Sequence, residues 1–144
     1  MDYHALFQIS ASGMALEKLR LDTTAANIAN MNVAYAPGEA GYRPMRVVAQ
    51  TAQLGFSQQF GSMYRAVGGV QSMSVVQESA PPRLAHEPGH PLANAQGMVA
   101  YPGVNHTQEM VNMTAALRAY EANVAAMNAA KTMAARALDI GGQQ

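Results

Sequence analysis

The sequence EMVNMTAALRAYEANVAAMNAAKTMAARALDIG, residues 109–141, decides the fold, because large apolar side chains recur in it at steps of three and four over four heptads. This spacing places them on one side of an α-helix, which we expect to run from about residue 107 to about residue 140. We predict that this stripe packs against the other terminal helix of the same chain. Its members are Met110, Met113, Leu117, Tyr120, Val124, Met127 and Leu138.

Residues at both ends of this stretch are suited to begin and end a helix. Asn105 or Thr107 can cap the N-terminus, and a carboxylate at Glu109 suits the positive end of the helix dipole. Gly141 and Gly142 can end the helix. The sequence therefore predicts one long helix with defined ends.

A second stripe on this helix is offset by two residues, or roughly 200° at 100° per residue, and so lies on nearly the opposite side. An ordinary surface helix carries Lys and Glu there, whereas this helix carries small apolar side chains. Small side chains let another helix approach closely. We therefore predict that this side contacts other subunits, through Ala115, Ala119, Ala122, Ala126, Ala129 and Met133.

The N-terminal part of the chain has the same two-sided organisation. We expect a helix from about Tyr3 to Asn30, ending where Asn, Gly and Pro become frequent. One stripe is predicted to face the C-terminal helix of the same chain, and a second, offset by two residues, to face other subunits. The first contains Phe7, Met14, Leu21 and Ile28, and the second contains Ile9, Leu16, Leu19 and Ala26.

Proline and glycine divide the chain into regions. All seven prolines lie between Pro37 and Pro102. We therefore predict a mainly α protein with a small β-containing middle. Residues 1–32 and 105–144 form paired terminal helices, a coiled-coil-like hairpin, and residues 33–104 form the Pro/Gly-rich middle.

Two segments of the middle are rich in valine with partial alternation, which is typical of strands. They are residues 42–53 and 69–78, and we expect them to pair as a hairpin across residues 54–68. The sequence that follows Ala80, up to Gly103, is predicted to be an extended loop.

Composition excludes several classes of protein. The charges of the 9 basic and 9 acidic side chains cancel, so the chain has no net positive charge that would attract nucleic acid. No apolar run approaches the ~18 residues of a membrane span, so we expect no direct membrane insertion. Cysteine is absent, which excludes disulfides and thiolate sites. The first ten residues lack the basic and apolar regions of a cleavable secretory signal.

His86-Glu87-Pro88-Gly89-His90 has the letters of the zinc protease motif H-E-x-x-H. That motif requires a helix, which brings both imidazoles to one metal ion. Pro88 and Gly89 oppose a helix, and Pro91 disfavours helical backbone at His90. We therefore interpret this segment as a rigid turn, and we predict no catalytic residue, no cofactor and no metal site.

Three separate sequence words resemble the flagellar rod, hook and filament-junction proteins. The first helix contains SASGM at residues 10–14 and ANIAN at residues 26–30, and the last contains RAYEAN at residues 118–123. The family positions among them are Ser12, Gly13, Met14, Asn27 and Asn30. Family members usually continue with Asn-Thr after the ANIAN word, whereas this chain continues with Met31-Asn32.

Residues 87–105 resemble the proximal rod proteins of the bacterial flagellar basal body in particular. The matching words are EPGHP at residues 87–91 and GMVAYPGVN at residues 97–105. The sequence departs from that pattern with Glu87 for Asp, Met98 for Tyr and Gly103 for Asn.

The resemblance implies a structural subunit of the flagellar basal-body rod. Such a subunit is exported unfolded by the flagellar type III apparatus, without signal cleavage. It then assembles with itself and other rod proteins in the periplasm into a helical shaft that transmits motor torque to the hook. Asn27 and Asn30 are expected to bond backbone at the end of the first helix or a neighbouring subunit, or simply to stop the helix.

Two other functions are compatible with parts of the sequence. A helical-hairpin adaptor that never polymerises would remain a discrete monomer or dimer at high concentration. An enzyme would purify with stoichiometric zinc and lose it on His86→Ala.

Overall fold

The computed structural model describes residues 3–51 and 69–141. The chain is mainly helical with a small β part, which confirms the predicted fold class. The predicted hairpin connection at residues 54–68 and the predicted helix end at Gly142 lie outside the described residues. The elements in order are α1 (Tyr3–Asn30), β1 (Met45–Thr51), β2 (Val70–Gln77), β3 (Arg83–His86), β4 (Met98–Tyr101) and α2 (His106–Gly141).

Local hydrogen bonds mark the start of α2 and the end of α1. At the start of α2, Asn105 Oδ1 accepts the backbone N–H of Gln108 at 3.2 Å, so Asn105 is the N-cap. At the end of α1, Asn30 Nδ2 donates to the carbonyl of Ala26 at 2.8 Å. The backbone N–H of Val33 then bonds the carbonyl of Asn30 at 3.1 Å, which turns the chain out of the helix.

Strands β1 and β2 pair with each other, as the valine-rich segments predict, although each strand is shorter than its segment. Beyond the end of β2, the N–H of Glu78 donates to the carbonyl of Pro44 at 2.7 Å. The guanidinium of Arg46 forms an ion pair with the carboxylate of Glu78. Several apolar side chains of this ribbon are exposed, namely Val48, Met73, Val75 and Val76.

The prediction of an extended loop after Ala80 is wrong, because β3 and β4 form an antiparallel pair. The register joins Arg83 to Tyr101 and His86 to Met98. On its other side, Ala100 exchanges two backbone hydrogen bonds with Tyr35, at 2.9 and 3.0 Å. Val99 and Ala100 are fully buried as a result. Strands of four residues are too short for alternation to reveal them, and only the pairing stabilises them.

The chain divides into two compact units, and both helices contribute to each. One contains the described parts of Met1–Leu19, Val48–Ser74 and Ala116–Gln144. The other contains Arg20–Val47 and Val75–Ala115.

Candidate assembly surfaces and the polar junction

In the unit that contains residues 20–47, the side chain of Asn27 is the centre of a buried polar junction. Its exposed fraction is 1%. Nδ2 donates to the carbonyl of Met45 at 2.9 Å and to Oε2 of Glu109 at 3.2 Å. Oδ1 accepts the hydroxyl of Tyr42 at 2.8 Å and the N–H of Met45 at 2.9 Å. One amide therefore joins the end of α1, the start of β1 and the first turn of α2.

Glu109 places a buried carboxylate in this junction. It lies in the first turn of α2, where the helix dipole and unpaired N–H groups favour negative charge. The pKa of the neighbouring Tyr42 is raised, first by burial and then by the negative charge of Glu109. The phenol therefore stays protonated and keeps donating to Asn27.

In the other unit, the motif residues Ser12 and Gly13 also contact the chain itself. Ser12 Oγ donates to the carbonyl of Ile9 at 2.8 Å and accepts the N–H of Val70 at 3.2 Å, which ties α1 to the start of β2. A Cβ added to Gly13 would lie 2.8 Å from Oδ1 of Asn123. A larger residue at position 13 would therefore require the side chain of Asn123 to move.

Each unit contains its own contact between a residue of α1 and a residue of α2. In one unit Gly13 lies against Asn123, and in the other Asn27 bonds Glu109. Both contacts involve residues that the sequence places within the two terminal helices.

The buried side of α1 coincides with neither predicted apolar stripe, although it includes Leu16, which we predicted to face other subunits. Among the described side chains of α1, five of the six buried ones are polar: Ser10, Glu17, Thr23, Thr24 and Asn27, together with the apolar Leu16. At 100° per residue they cluster between the two stripes. The residues predicted to face α2, Phe7, Met14, Leu21 and Ile28, are half-buried, as are Leu19 and Ala26 of the other stripe, whereas its Ile9 is exposed.

On α2, two of the three described buried residues, Glu109 and Ala116, directly precede predicted stripe positions. Ala116 is buried while Leu117 is 47% exposed, and Leu138 near the helix end is 76% exposed. The described buried side chains of α2 are Glu109, Ala116 and Ala130. Of the predicted stripe, Met113, Tyr120, Val124 and Met127 are half-buried, and Met110, Leu117 and Leu138 are exposed.

The alanine side of α2 is largely exposed in the single chain. Ala119 is half-buried, and the other predicted contact residues, Ala115, Ala122, Ala126, Ala129 and Met133, are exposed. An outer side of small and apolar groups is chemically suited to pack against another helix, because little polar surface has to lose its water.

The segment with the letters of the zinc motif is a turn, as predicted. His86 ends β3, and the N–H of His90 bonds the carbonyl of Glu87 at 3.0 Å. His90 Nδ1 accepts the N–H of Leu92 at 3.1 Å. Within residues 3–51 and 69–141, no group of three or more His, Cys, Asp or Glu residues could hold a metal ion. No helix in that same part of the chain is long and apolar enough to span a membrane.

Comparison with known proteins identifies the class of protein in which such terminal helices occur. Residues 7–34 match the family model described as flagella basal body rod protein. Residues 95–140 match the one described as flagellar basal body rod FlgEFG protein C-terminal. Both helices thus carry sequence typical of the flagellar rod class.

Full-length relatives narrow this class to one family. The flagellar basal-body rod protein FlgC of Salmonella typhimurium is 37% identical over 136 residues, which cover 94% of this chain and 96% of the relative. FlgC of Bacillus subtilis is 35% identical over 147 residues, covering 96% and 97%. FlgC of Borreliella burgdorferi is 30% identical over 156 residues, covering 97% and 98%. The chain therefore belongs to the FlgC family of flagellar basal-body rod proteins.

Family membership confirms the prediction of a structural subunit of the flagellar basal-body rod. It also gives the protein its place in the basal body. Sequence reasoning named Asn27 and Gly13 but missed their partners Tyr42 and Asn123. No periodic signal marks such partners, because each is fixed by a contact between distant parts of the chain.

Proposed function

We propose that this chain assembles into the rod through apolar surface that its own fold leaves exposed on the two helices. The observation that carries the proposal is that several large apolar side chains of α2 are exposed to solvent. They are Met110, Val111, Leu117, Met133 and Leu138. A helix of a monomeric protein would carry charges at many of these positions.

The exposed residues of α2 form two surfaces. We call Met110, Leu117 and Leu138 the methionine-leucine surface, and Ala115, Ala122, Ala126, Ala129 and Met133 the alanine surface. At 100° per residue they lie on roughly opposite sides of the helix. A different neighbour on each surface is a heterologous contact, which repeats into an open helical array. Many small dispersion contacts then act in parallel and resist torque.

Partners and location follow from the family. We propose that the subunit contacts copies of itself and other rod proteins, and that the assembled rod spans the periplasm. The flagellar type III apparatus would deliver the chain unfolded, without signal cleavage. We assign it no catalytic activity, because its relatives are named as rod proteins and its one protease-like motif forms a turn.

The proposal is tested by a charge on the methionine-leucine surface. Leu117→Asp should abolish incorporation into isolated basal bodies and swimming in a strain that lacks its own copy. Leu117→Met is the matched control, because it keeps an apolar group of similar size and should behave as wild type. Normal incorporation of the Leu117→Asp protein would overturn the role of this surface.

The alanine surface needs a separate test, because its role is close approach of another helix. Ala126→Leu should reduce incorporation by blocking that approach. Ala125→Leu, beside it on α2 but outside both surfaces, should have the smaller effect. Equal effects of both leucines would contradict the assignment. A purified subunit that stays a discrete monomer or dimer at high concentration would instead support the non-polymerising adaptor.

A further inference from the structure

We propose that the thioethers of Met110 and Met133 are modification sites, at which oxidation to the sulfoxide blocks incorporation of the free subunit. The oxidant is a two-electron oxygen donor such as hydrogen peroxide. This inference rests on the proposed assembly function and adds a chemical regulation of the same surfaces.

Met110 and Met133 are the two most exposed methionines in the part of the chain that the structure describes. Met133 is 48% exposed, Met110 is 43% exposed and Met73 is 39% exposed. The other described methionines, at positions 14, 31, 45, 98, 113 and 127, are half-buried. The chain contains no cysteine, so no thiol within it competes for the oxidant.

The positions of the two α2 methionines determine which surfaces their oxidation would change. Met110 belongs to the methionine-leucine surface, and Met133 is the single large side chain of the otherwise alanine surface. Their separation of 23 positions corresponds to about 140° around the helix. Each exposed surface of α2 therefore carries one oxidisable sulfur, whereas the similarly exposed Met73 lies on strand β2.

The chemistry is a simple oxygen transfer. The thioether sulfur attacks one oxygen of hydrogen peroxide, so that an S–O bond forms and the O–O bond breaks. The proton on the transferred oxygen passes to the displaced hydroxide, which leaves as water and completes the sulfoxide. The sulfur is oxidised by two electrons and the peroxide is reduced. The product is a polar acceptor that loses its water on packing against alanines of another helix. We expect affinity to fall about tenfold or more for each oxidised contact.

The experiment uses the full-length subunit exposed to graded hydrogen peroxide, with peptide mass spectrometry to locate the added oxygen. Incorporation into basal bodies is then measured for wild type, for Met110→Leu/Met133→Leu and for Met73→Leu. Oxidised wild type and Met73→Leu should lose incorporation about tenfold or more, whereas the double leucine variant should keep it. Treatment of the oxidised wild type with methionine sulfoxide reductases should restore incorporation.

Two results would overturn the inference: an equal loss in the double leucine variant, or a loss in wild type that the reductases do not reverse. The reductase arm needs no variant, so it decides the matter even if the leucine substitutions impair assembly by themselves. Failure of the proposed assembly surface is distinguishable, because the Leu117→Asp protein would then incorporate normally without any oxidant.

Discussion

The inner side of α1 and the outer side of α2 have opposite chemical character. The side of α1 that the chain buries is mostly polar, with Glu17, Thr24 and Asn27 among its members. The side of α2 that stays in water carries Leu117 and Leu138. A monomeric globular protein usually distributes its residues the other way. The difference supports our proposal that contacts within the chain specify geometry, whereas the exposed apolar surface contacts other chains.

This division has an energetic consequence. A hydrogen bond within a protein stabilises the fold by only about 1 kcal/mol net, because water offers a competing partner. Burial of a large apolar side chain stabilises by roughly 1.5–3 kcal/mol. A helix pair with a polar seam is therefore expected to be marginally stable in the free subunit and to gain stability when its outer side is covered.

The largest effect is expected at the polar junction. Asn27→Ala removes both donors and the acceptor that serve Met45, Tyr42 and Glu109, and leaves these groups unpaired in a buried place. We expect a loss of about 3 kcal/mol in the free energy of unfolding, measured by thermal or urea denaturation. Asn30→Ala is the control, because its side chain bonds only its own helix, at Ala26, and it should cost under about 1 kcal/mol. Equal losses would mean that the junction does not specify the fold.

The next effect concerns the cap of α2, which holds Glu109 in the junction. Asn105→Ala should cost about 1 kcal/mol, because the N–H of Gln108 loses its side-chain acceptor. Thr107→Ala should change stability by less than about 0.5 kcal/mol, since this residue lies inside the helix. A larger loss of stability for Thr107→Ala than for Asn105→Ala would instead make Thr107 the N-cap.

A smaller effect is expected on the titration of Tyr42. Its pKa lies above the ordinary value of 10.0 because of burial first and the charge of Glu109 second. Glu109→Gln should therefore lower the pKa, but not fully to the ordinary value, because burial remains. The measurement is the tyrosinate absorbance titration, with Tyr42→Phe subtracted to isolate this residue.

The sign of the pH dependence follows from the same shift. Because the folded-state pKa is raised, the contribution of Tyr42 to stability is fully present below the unfolded pKa near 10. It is lost as the pH rises through the folded pKa. A pKa of Tyr42 that rises or stays constant in Glu109→Gln would contradict the proximity of the two groups.

The smallest effect is expected on the outer side. Leu138→Ala should change the stability of the free subunit by less than about 0.5 kcal/mol, because the side chain is already in water. The same substitution at the buried Leu16 should cost about 2–4 kcal/mol. If Leu138→Ala were as costly as Leu16→Ala, the outer side would belong to the fold of the single chain, and the comparison would fail.

The local features of the fold were predictable from the sequence. Periodicity and end signals predicted α1 and α2 with bounds that match Tyr3–Asn30 and His106–Gly141 closely. Valine-rich segments predicted β1 and β2. The prolines around Gly89 predicted a turn where the letters resemble a zinc motif. Each of these depends on residues that are close together along the chain.

The features that depend on distant residues were not predictable in this way. The β3–β4 pair was missed because strands of four residues have no pattern of their own and form only when they pair. The buried side of α1 was missed because a hydrophobicity stripe shows which side is apolar, and not which side the same chain covers. Asn27 was visible as a motif residue, but its four hydrogen bonds to Met45, Tyr42 and Glu109 were not.

The sequence by itself determined the two helices, their ends and the two apolar sides of each, because helix periodicity and capping are local properties of the chain. Only the tertiary structure decided that the polar residues between those sides face inward, because Asn27, Glu109 and Gly13 obtain their partners from the opposite helix or from the middle segment. Hydrogen bonds between distant parts of the chain therefore decided which side of α1 is buried, and we propose that the exposed apolar side chains contact other subunits.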